Sequence, residues 1–354
     1  MLKYIAKKML YGLLVLIGVV ILVFFLFQGF GDPSRLVMGQ SGDSATQANI
    51  KKELYLVDEK GEAVPKFRQF LFYLNDVSPL CFHSKTDIEK KNLKGFFIGG
   101  EKKLGLKVPY LRKSYQSKRP VWNILMQALP GTLMLAVAAM FLAVLTGIPL
   151  GVMAAVKKDT WLDTSAVFSS IVGISAPSFF MGIIIVYIFG FLLSDITGLH
   201  IAGNWFAIDE EGRRKFTLQN LILPAVTLGI RPLAIITQLT RSAMLDVLNQ
   251  DYIRTAYAKG LGKRKIIWKH GLKNALNPVI TAVTGWFAEL LAGAFFIEYI
   301  FGWQGIGKVT VDALEKLDYP VVMGAVLVSA TFFIIINILA DILYGAVDPR
   351  VRIE

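Results

Sequence analysis

A single cysteine, Cys81, occurs among the 354 residues, which rules out an internal disulfide and any cysteine-based metal site. The three histidines, His83, His200 and His270, are isolated from one another in different loops. No HExxH helix, nucleophile elbow, CxxC pair or complete P-loop is present. The nearest approach to a P-loop is Gly302–Lys308, but Val309 stands where Ser or Thr must hold Mg²⁺ and no strand precedes it. No catalytic site, metal site or bound cofactor is therefore expected. Acidic residues are also scarce, 26 against 38 basic ones, for a net charge of +12. That excess could suit nucleic acid, yet no RNA-binding signature or aromatic platform accompanies it. The basic residues lie instead in loops beside apolar runs, the pattern of membrane orientation and contact with anionic lipid.

What the chain has in abundance is apolar sequence, 54% of its residues, with a mean hydropathy of +0.53. This exceeds what a soluble domain of its size carries, so the expected fold class is an all-α integral membrane protein. Lys3, Lys7 and Lys8 precede an apolar run from Met9 to about Phe30, long enough to cross a hydrocarbon core of about 30 Å. It is longer than a signal-peptide core and has no small-residue cleavage site, so it reads as a retained first span. Residues 31–120, opening on GDPSR, are mixed and charged and read as an extracytoplasmic loop. Their net positive charge does not conflict with this, because loops longer than about 60 residues translocate largely regardless of charge. Five further spans follow: Ala128–Val156, about Ala166–Leu193, Leu218–Leu239, Val279–Ile297 and Val321–Tyr344. Six crossings return both termini to the cytoplasm. The chain thus divides into residues 1–30, the outer loop 31–120, a five-helix core 121–345 and a tail 346–354.

Three residues within the spans stand out. Pro177, in ISAPSF, lacks an amide donor in mid-span and predicts a kink. Arg231 is a charge in mid-membrane, costing about 2.5 to 3.5 kcal/mol on insertion scales. It either lines the translocation pathway, near a substrate carboxylate, or is structural, bonded to backbone carbonyls or snorkelling. Glu289 is an intramembrane acid, either paired inside the bundle or carrying a proton.

Between the fourth and fifth spans, residues 240–278 are polar and basic. From Arg241 to Lys273 they carry eight Lys/Arg against two Asp, which places the loop in the cytoplasm. Tyr252, Ile253, Ala256, Leu261, Ile266, Ile267 and His270 recur at steps of three or four, predicting two short helices that share one apolar face. Asp251 is a candidate cap for the first, and Gly260 with Gly262 would turn the chain into the second.

The stretch DYIRTAYAKGLGKRKIIWKHGLKNALNP resembles the EAA loop of ABC importer permeases, in the version found in the dipeptide and oligopeptide subfamily. The general pattern is Glu-Ala-Ala, Gly six residues after the Glu, then Ile-x-Leu-Pro. At those positions this chain has Arg254, Thr255, Ala256, Gly260, His270, Leu272 and Lys273. The loss of Glu, Ile and Pro is itself a habit of the peptide-type subfamily. NILMQALPGTLMLA, GIPLGVMAA and EYIFGWQGIGKVTVDAL resemble segments of the same family. The resemblance implies a type I ABC importer permease fold with six transmembrane helices and a cytoplasmic coupling helix that docks on an ATPase subunit. The residues it implicates in coupling are Asp251, Tyr252, Arg254, Thr255, Ala256, Gly260, His270, Leu272 and Asn274. It also implies a second homologous permease, two ATP-binding subunits, an extracytoplasmic solute-binding protein and a place in the bacterial inner membrane. The family's outer segment is shorter, so residues 82–110 look inserted, and their charges, DIEKKNLKG and EKKLGLK, predict a solvated surface. The implied solute is a di- or oligopeptide; nickel or another small solute is the alternative. An ion-coupled secondary transporter is a weaker rival, because it calls for inverted repeats and facing acids. A membrane-bound enzyme or a passive scaffold is weaker still.

Overall fold

The computed structural model describes residues 2–29, 51–52, 54–58, 61–100, 102–200, 202–203, 206–208 and 214–347. The GDPSR opening, most of the DEEGRRK stretch and the DPRVRIE tail lie outside the described residues.

Predominantly apolar sequence makes the long helices. They are α1 (Leu2–Gly29), α4 (Val121–Val156), α8 (Gln219–Leu248), α11 (Leu272–Gly293) and α14 (Tyr319–Val347). Among the described residues, four helical segments are long and apolar enough to cross a membrane: Tyr4–Gln28, Val121–Val156, Gln219–Leu248 and Tyr319–Ile342. Two shorter helices, α5 (Trp161–Ser175) and α6 (Ser178–Ile185), the latter continued by a π-helical run Val186–Leu192, qualify together as a fifth. The expected fifth crossing, Val279–Ile297, falls on α11 and on α12 (Phe295–Ile300), separated at Ala294. Length and composition alone do not mark α11 as a span among the described residues. Apolar side chains left outside, such as Leu13, Leu14 and Leu22 on α1, make an outer surface suited to lipid.

The chain forms two compact units. One comprises Met1–Met9, Ala128–Lys308 and Phe332–Glu354. Its core gathers Leu135, Ala136, Ala139 and Ala143 of α4 against Ala225, Leu228 and Ile236 of α8, with Val279 and Leu290 of α11. Small residues let α4 and α8 approach closely. A Cβ on Gly229 would stand 2.8 Å from the Ala139 carbonyl oxygen, and one on Gly151 would stand 2.5 Å from the carbonyl oxygen of Thr237. The glycines of GIPLGVMAA are therefore packing devices. In the LPGT segment, a Cβ on Gly131 would collide with the carbonyl oxygen of Gln304, while the Gly131 carbonyl accepts from Trp303 Nε1 at 2.9 Å.

The other unit comprises Leu10–Gln127 and Val309–Thr331. After α2 (Lys66–Val77) come β1 (Leu80–Ser84), α3 (Lys85–Lys91), β2 (Gly95–Ile98) and β3 (Lys102–Lys107), an antiparallel sheet in the order β1-β3-β2. The mainly helical class expected is found, with this sheet added to it. The surface expected over 82–110 includes an exposed apolar face that the charges do not predict. Pairing sets Leu80 opposite Leu106 and Phe82 opposite Leu104, with Phe96 and Ile98 on the third strand, all six side chains exposed. The alternate residues, Cys81 and His83, are buried on the opposite face. Beneath that face sits Asp76, 1% exposed, whose carboxylate accepts from Lys91 Nζ at 2.6 Å and from the Tyr55 hydroxyl at 2.6 Å. Lys107 Nζ donates to the backbone carbonyls of Asp76 and Ser78.

Candidate functional site: a helical knob on the loop after the third long helix

The chain leaves α8 at Leu248 and enters α9 (Asp251–Ala258). Gln250, in extended conformation, is the N-cap, and no side chain caps the helix; Asp251 is its first residue. The expectation that Asp251 caps is thus corrected by one position, and its carboxylate contributes to the first turn only as a charge favourable to the helix dipole. Gly260 ends the helix at φ +75°, a conformation that strains any residue with a Cβ. Gly262, extended, starts α10 (Lys263–Lys265), which continues as a π-helical run Ile266–Gly271 directly into α11.

The apolar residues expected to share one face do so, and that face anchors the knob. Ile253, Ala256 and Ile266 are buried against one another, with Leu248 and Leu261 packed around them. Ile267 joins Met244 of α8, Val152 and Ala155 of α4 and Ala275 of α11, with Leu272 packed alongside. Gly271 is closely packed: a Cβ there would lie 3.3 Å from Met244 Cε, the flexible end of that side chain. The Ala-x₃-Gly spacing is explained locally: Ala256 must be small to pack under Ile266, and Gly260 must adopt a left-handed turn. Tyr252 and Asn274 come together, Asn274 Nδ2 donating to the Tyr252 hydroxyl at 2.7 Å and to the His270 carbonyl at 3.4 Å. This joins the first turns of α9 and α11.

The outward surface is made by other residues. Tyr252, Tyr257 and Trp268 are each about half exposed, among exposed Asp251, Arg254, Thr255, Lys259 and Lys263–Lys265. Arg254 Nη1 stands 3.5 Å from Asp251 Oδ1, but both are solvated and the pair adds little stability. His270 is half-buried. Tyr257 and Trp268 are off the apolar stripe, which is why spacing alone did not single them out. The surface is aromatic and basic, suited to a protein partner with an acidic rim around an apolar pocket.

The root of the knob is fixed to another helix. Arg241, near the end of α8, donates through Nε and through Nη2, the latter at 2.7 Å, to the carboxylate of Asp163 in the first turn of α5. Asp163 is 4% exposed and also accepts from the Asp159 amide at 3.1 Å. The remainder of α5 leads to Pro177. There the two helices meet at 111°, because Ala176 and Pro177 are both extended, as residues before and at a proline prefer to be. The expected kink is a full break.

Arg231 and Glu289 meet across α8 and α11, with Nη1 4.0 Å from Oε1. The guanidinium also lies 5.2 Å from the ring centroid of Trp286. Arg231 therefore has a carboxylate and an aromatic face for partners, in place of the backbone carbonyls considered from sequence. Both side chains are about half exposed within this chain, so the pair lines an open face of the bundle. A separate cavity of about 380 Å³ is lined by Ser165, Ser169 and Ser170 of α5 and by Ala234 and Thr237 of α8, and neither charged residue borders it.

The P-loop look-alike has a structural explanation. The backbone amides of Gly307 and Lys308 donate to Glu298 Oε2 at 2.7 and 3.2 Å, and Glu298 is fully buried. A Cβ on Gly307 would press on the same oxygen at 2.8 Å. The loop cradles a carboxylate of its own chain where a P-loop cradles a phosphate.

Residues 147–353 match the family described as "Binding-protein-dependent transport system inner membrane component". The matched stretch contains the knob, the Arg241–Asp163 link and the Arg231–Glu289 pair. The chain is 43% identical over 253 residues to the dipeptide transport system permease protein DppB of Haemophilus influenzae, covering 68% of this chain and 76% of that one. It is 35% identical over 370 residues to DppB of Escherichia coli strain K12, covering 99% of each. It is 34% identical over 353 residues to the oligopeptide transport system permease protein AppB of Bacillus subtilis strain 168, covering 99% of this chain and 100% of that one. The knob's motif, the apolar helices and these matches agree: the chain is a multi-pass membrane protein that belongs to the family of inner membrane components of binding-protein-dependent transport systems.

Proposed function

We propose that this chain is the permease subunit of an ATP-driven importer of di- and oligopeptides, forming half of the translocation pathway. The observation that carries the reading is the knob of residues 251–271, anchored by Ile253, Ala256 and Ile266 and presenting Tyr252, Thr255, Tyr257 and Trp268 outward. It has the sequence of a coupling helix, and its base continues without a break into α11. The chain works with a second, homologous permease, two ATPase subunits on the cytoplasmic side and a solute-binding protein on the other. It is a transport subunit; ATP is hydrolysed by its partners.

Six crossings, with α11 and α12 as the fifth, put both ends of the chain in the cytoplasm of a bacterial cell. The ion pair of Lys8 Nζ with Asp341 Oδ2, at 2.8 Å, supports this, since it sets the start of α1 beside the end of α14. ATP binding draws the ATPase subunits together. The knobs they hold move with them, and each displaces α8 directly, α5 through Arg241–Asp163 and α11 through the Tyr252–Asn274 bond. Inward-open and outward-open pores are then two states whose equilibrium the nucleotide shifts. Arg231, balanced by Glu289 and facing an open side of the bundle, offers a cation to the carboxylate that every peptide carries.

The test is to purify the complex with its binding protein and identify the ligand released on denaturation. Uptake of a labelled dipeptide, an oligopeptide and Ni²⁺ is then compared in proteoliposomes. ATP-dependent peptide uptake supports the reading, and uptake of Ni²⁺ alone contradicts it.

A further inference from the structure

A second polar site lies in the other unit. A cavity of about 60 Å³ is bordered by Phe24, Phe27 and Gln28 of α1, by Gln69 and Tyr73 of α2, and by Arg112. Such a volume holds a few waters or one small polar group. Among the described residues, three buried atoms of this lining have no hydrogen-bond partner: Arg112 Nε, the Tyr73 hydroxyl and Gln28 Oε1. Orphaned buried polar groups are rare, and three bordering one cavity ask for a ligand. Tyr73 is 4% exposed, so the site is built from an interior side chain as well as rim residues.

The donor set specifies chemistry. The Arg112 guanidinium is held over the rings of Tyr55 and Tyr73, 5.6 and 5.7 Å from their centroids, and no carboxylate pairs with it among the described residues. Asp76, the nearest acid, is bonded to Lys91 and Tyr55. Arg112 and Tyr73 together offer donors to an anion. Gln28 passes its own amide hydrogen to Gln69 Oε1 at 2.6 Å and keeps its oxygen free to accept from a hydroxyl or ammonium group. The ligand should therefore carry an anion next to a donor. The apolar wall includes residues from the last turns of α1 and the first turn of α14, with Phe27 and Tyr319 5.4 Å apart between ring centroids. Both helices are long and apolar enough to cross a membrane, so their tips lie at the level of lipid headgroups.

We propose that this cavity binds the headgroup of an anionic phospholipid, its phosphate on Arg112 and Tyr73 and its glycerol hydroxyl or amine on Gln28. The lipid would tie α1 to α2 and to the start of α14.

Tyr73→Phe is the decisive variant, because it removes only a hydroxyl that has no partner among the described residues. If the cavity is empty, the change is neutral or stabilising. Arg112→Gln is its companion, and should Arg112→Gln fail to fold, Tyr73→Phe and Gln28→Met carry the test. The full transporter complex is purified in detergent, and retained phospholipid is measured by native mass spectrometry. Thermal unfolding is then followed in nanodiscs of phosphatidylcholine with and without phosphatidylglycerol, and in detergent with inorganic phosphate. Several-fold less retained anionic lipid in Tyr73→Phe, with loss of the rise in Tm given by phosphatidylglycerol, supports the site. Equal retention in all variants overturns it. An equal rise in Tm from inorganic phosphate alone overturns the lipid as its source and leaves a free anion.

Discussion

Arg241 grips Asp163 with two hydrogen bonds, and so ties the last turns of the helix before the knob to the first turn of the helix that breaks at Pro177. The two residues are 78 positions apart. A fork of this kind fixes orientation as well as distance, which a single ammonium cannot do. In the proposed mechanism it is the shortest route from the knob to the bent helix pair.

Breaking that link should cost about 1.5–3 kcal/mol, the range for a hydrogen bond to a charged group. Asp163→Asn and Arg241→Lys are both expected to lower the Tm of the purified complex. The sharper expectation is functional: uptake per ATP hydrolysed falls in both variants while ATP hydrolysis continues. Normal stoichiometry of transport in Arg241→Lys would remove the link from the mechanism.

Gly151 and Gly285 offer a contrast within helices. A Cβ on Gly151 meets the Thr237 carbonyl oxygen at 2.5 Å and Thr240 Cβ at 2.6 Å, whereas one on Gly285 meets nothing within 4 Å. Gly151→Ala must push α4 from α8 and should cost about 1–3 kcal/mol. Gly285→Ala gains about 0.8–1 kcal/mol of helix propensity against no steric cost in this chain. Folded yield and thermal unfolding of the two variants should move in opposite directions.

Arg231 and Glu289 are each about half exposed, so their pair contributes at most about 1 kcal/mol to folding. Arg231→Leu and Glu289→Gln are expected to assemble normally, and Arg231→Leu to reduce peptide uptake several-fold. Exchanging the two charges, Arg231→Glu with Glu289→Arg, restores uptake only if the pair serves as a pair. Continued failure of the exchanged protein would mark the cation's own position as the requirement.

His83 supplies a pH dependence in the unit that holds the three-stranded sheet. Burial, reinforced by the nearby Lys91 and partly offset by Asp76, pushes its imidazole below the ordinary histidine value of 6.5. A base whose folded pKa is depressed binds fewer protons folded than unfolded, so stability is lost as pH falls below about 6.5. Lys107, lowered by its own burial, is affected at alkaline pH. Hydrogen exchange of the amides of β1 and β3, corrected for intrinsic rates, should quicken between pH 7 and pH 5. His83→Gln should flatten that change.

Much of the membrane portion is legible from sequence because its signals are local and long. An apolar run of some twenty residues is a span whatever surrounds it, and the charge of a short loop orients it. The knob was legible as two helices because Gly260 and the three- and four-residue spacing report backbone and face. What spacing could not say is which way that face turns. Ile253 and Ile266 turn inward because Leu248, at the end of the preceding helix, provides the apolar surface they need, and Ile267 does so because of Met244. Asp163 and Arg241 look like ordinary cytoplasmic charges until the fold brings them together. The sheet was missed because LCFHS, GFFI and KKLGLK are short, and their lysines and glycines disguise the alternation that the pairing makes plain. At Pro177 a missing donor predicts a kink; the break comes from the extended residue before it as well.

The most direct test of the account is site-specific crosslinking from the knob to an ATPase subunit in the assembled transporter. Cys81, fully buried beneath the three-stranded sheet, can be replaced by Ser to give a cysteine-free background. Thr255→Cys and Trp268→Cys place a thiol on the exposed surface, and Ile253→Cys places one inside the anchor. The account predicts strong crosslinks from positions 255 and 268 to the ATPase subunit, altered by ATP, and none from position 253. Absence of any crosslink from the two exposed positions, in a complex that still hydrolyses ATP and transports, would contradict it.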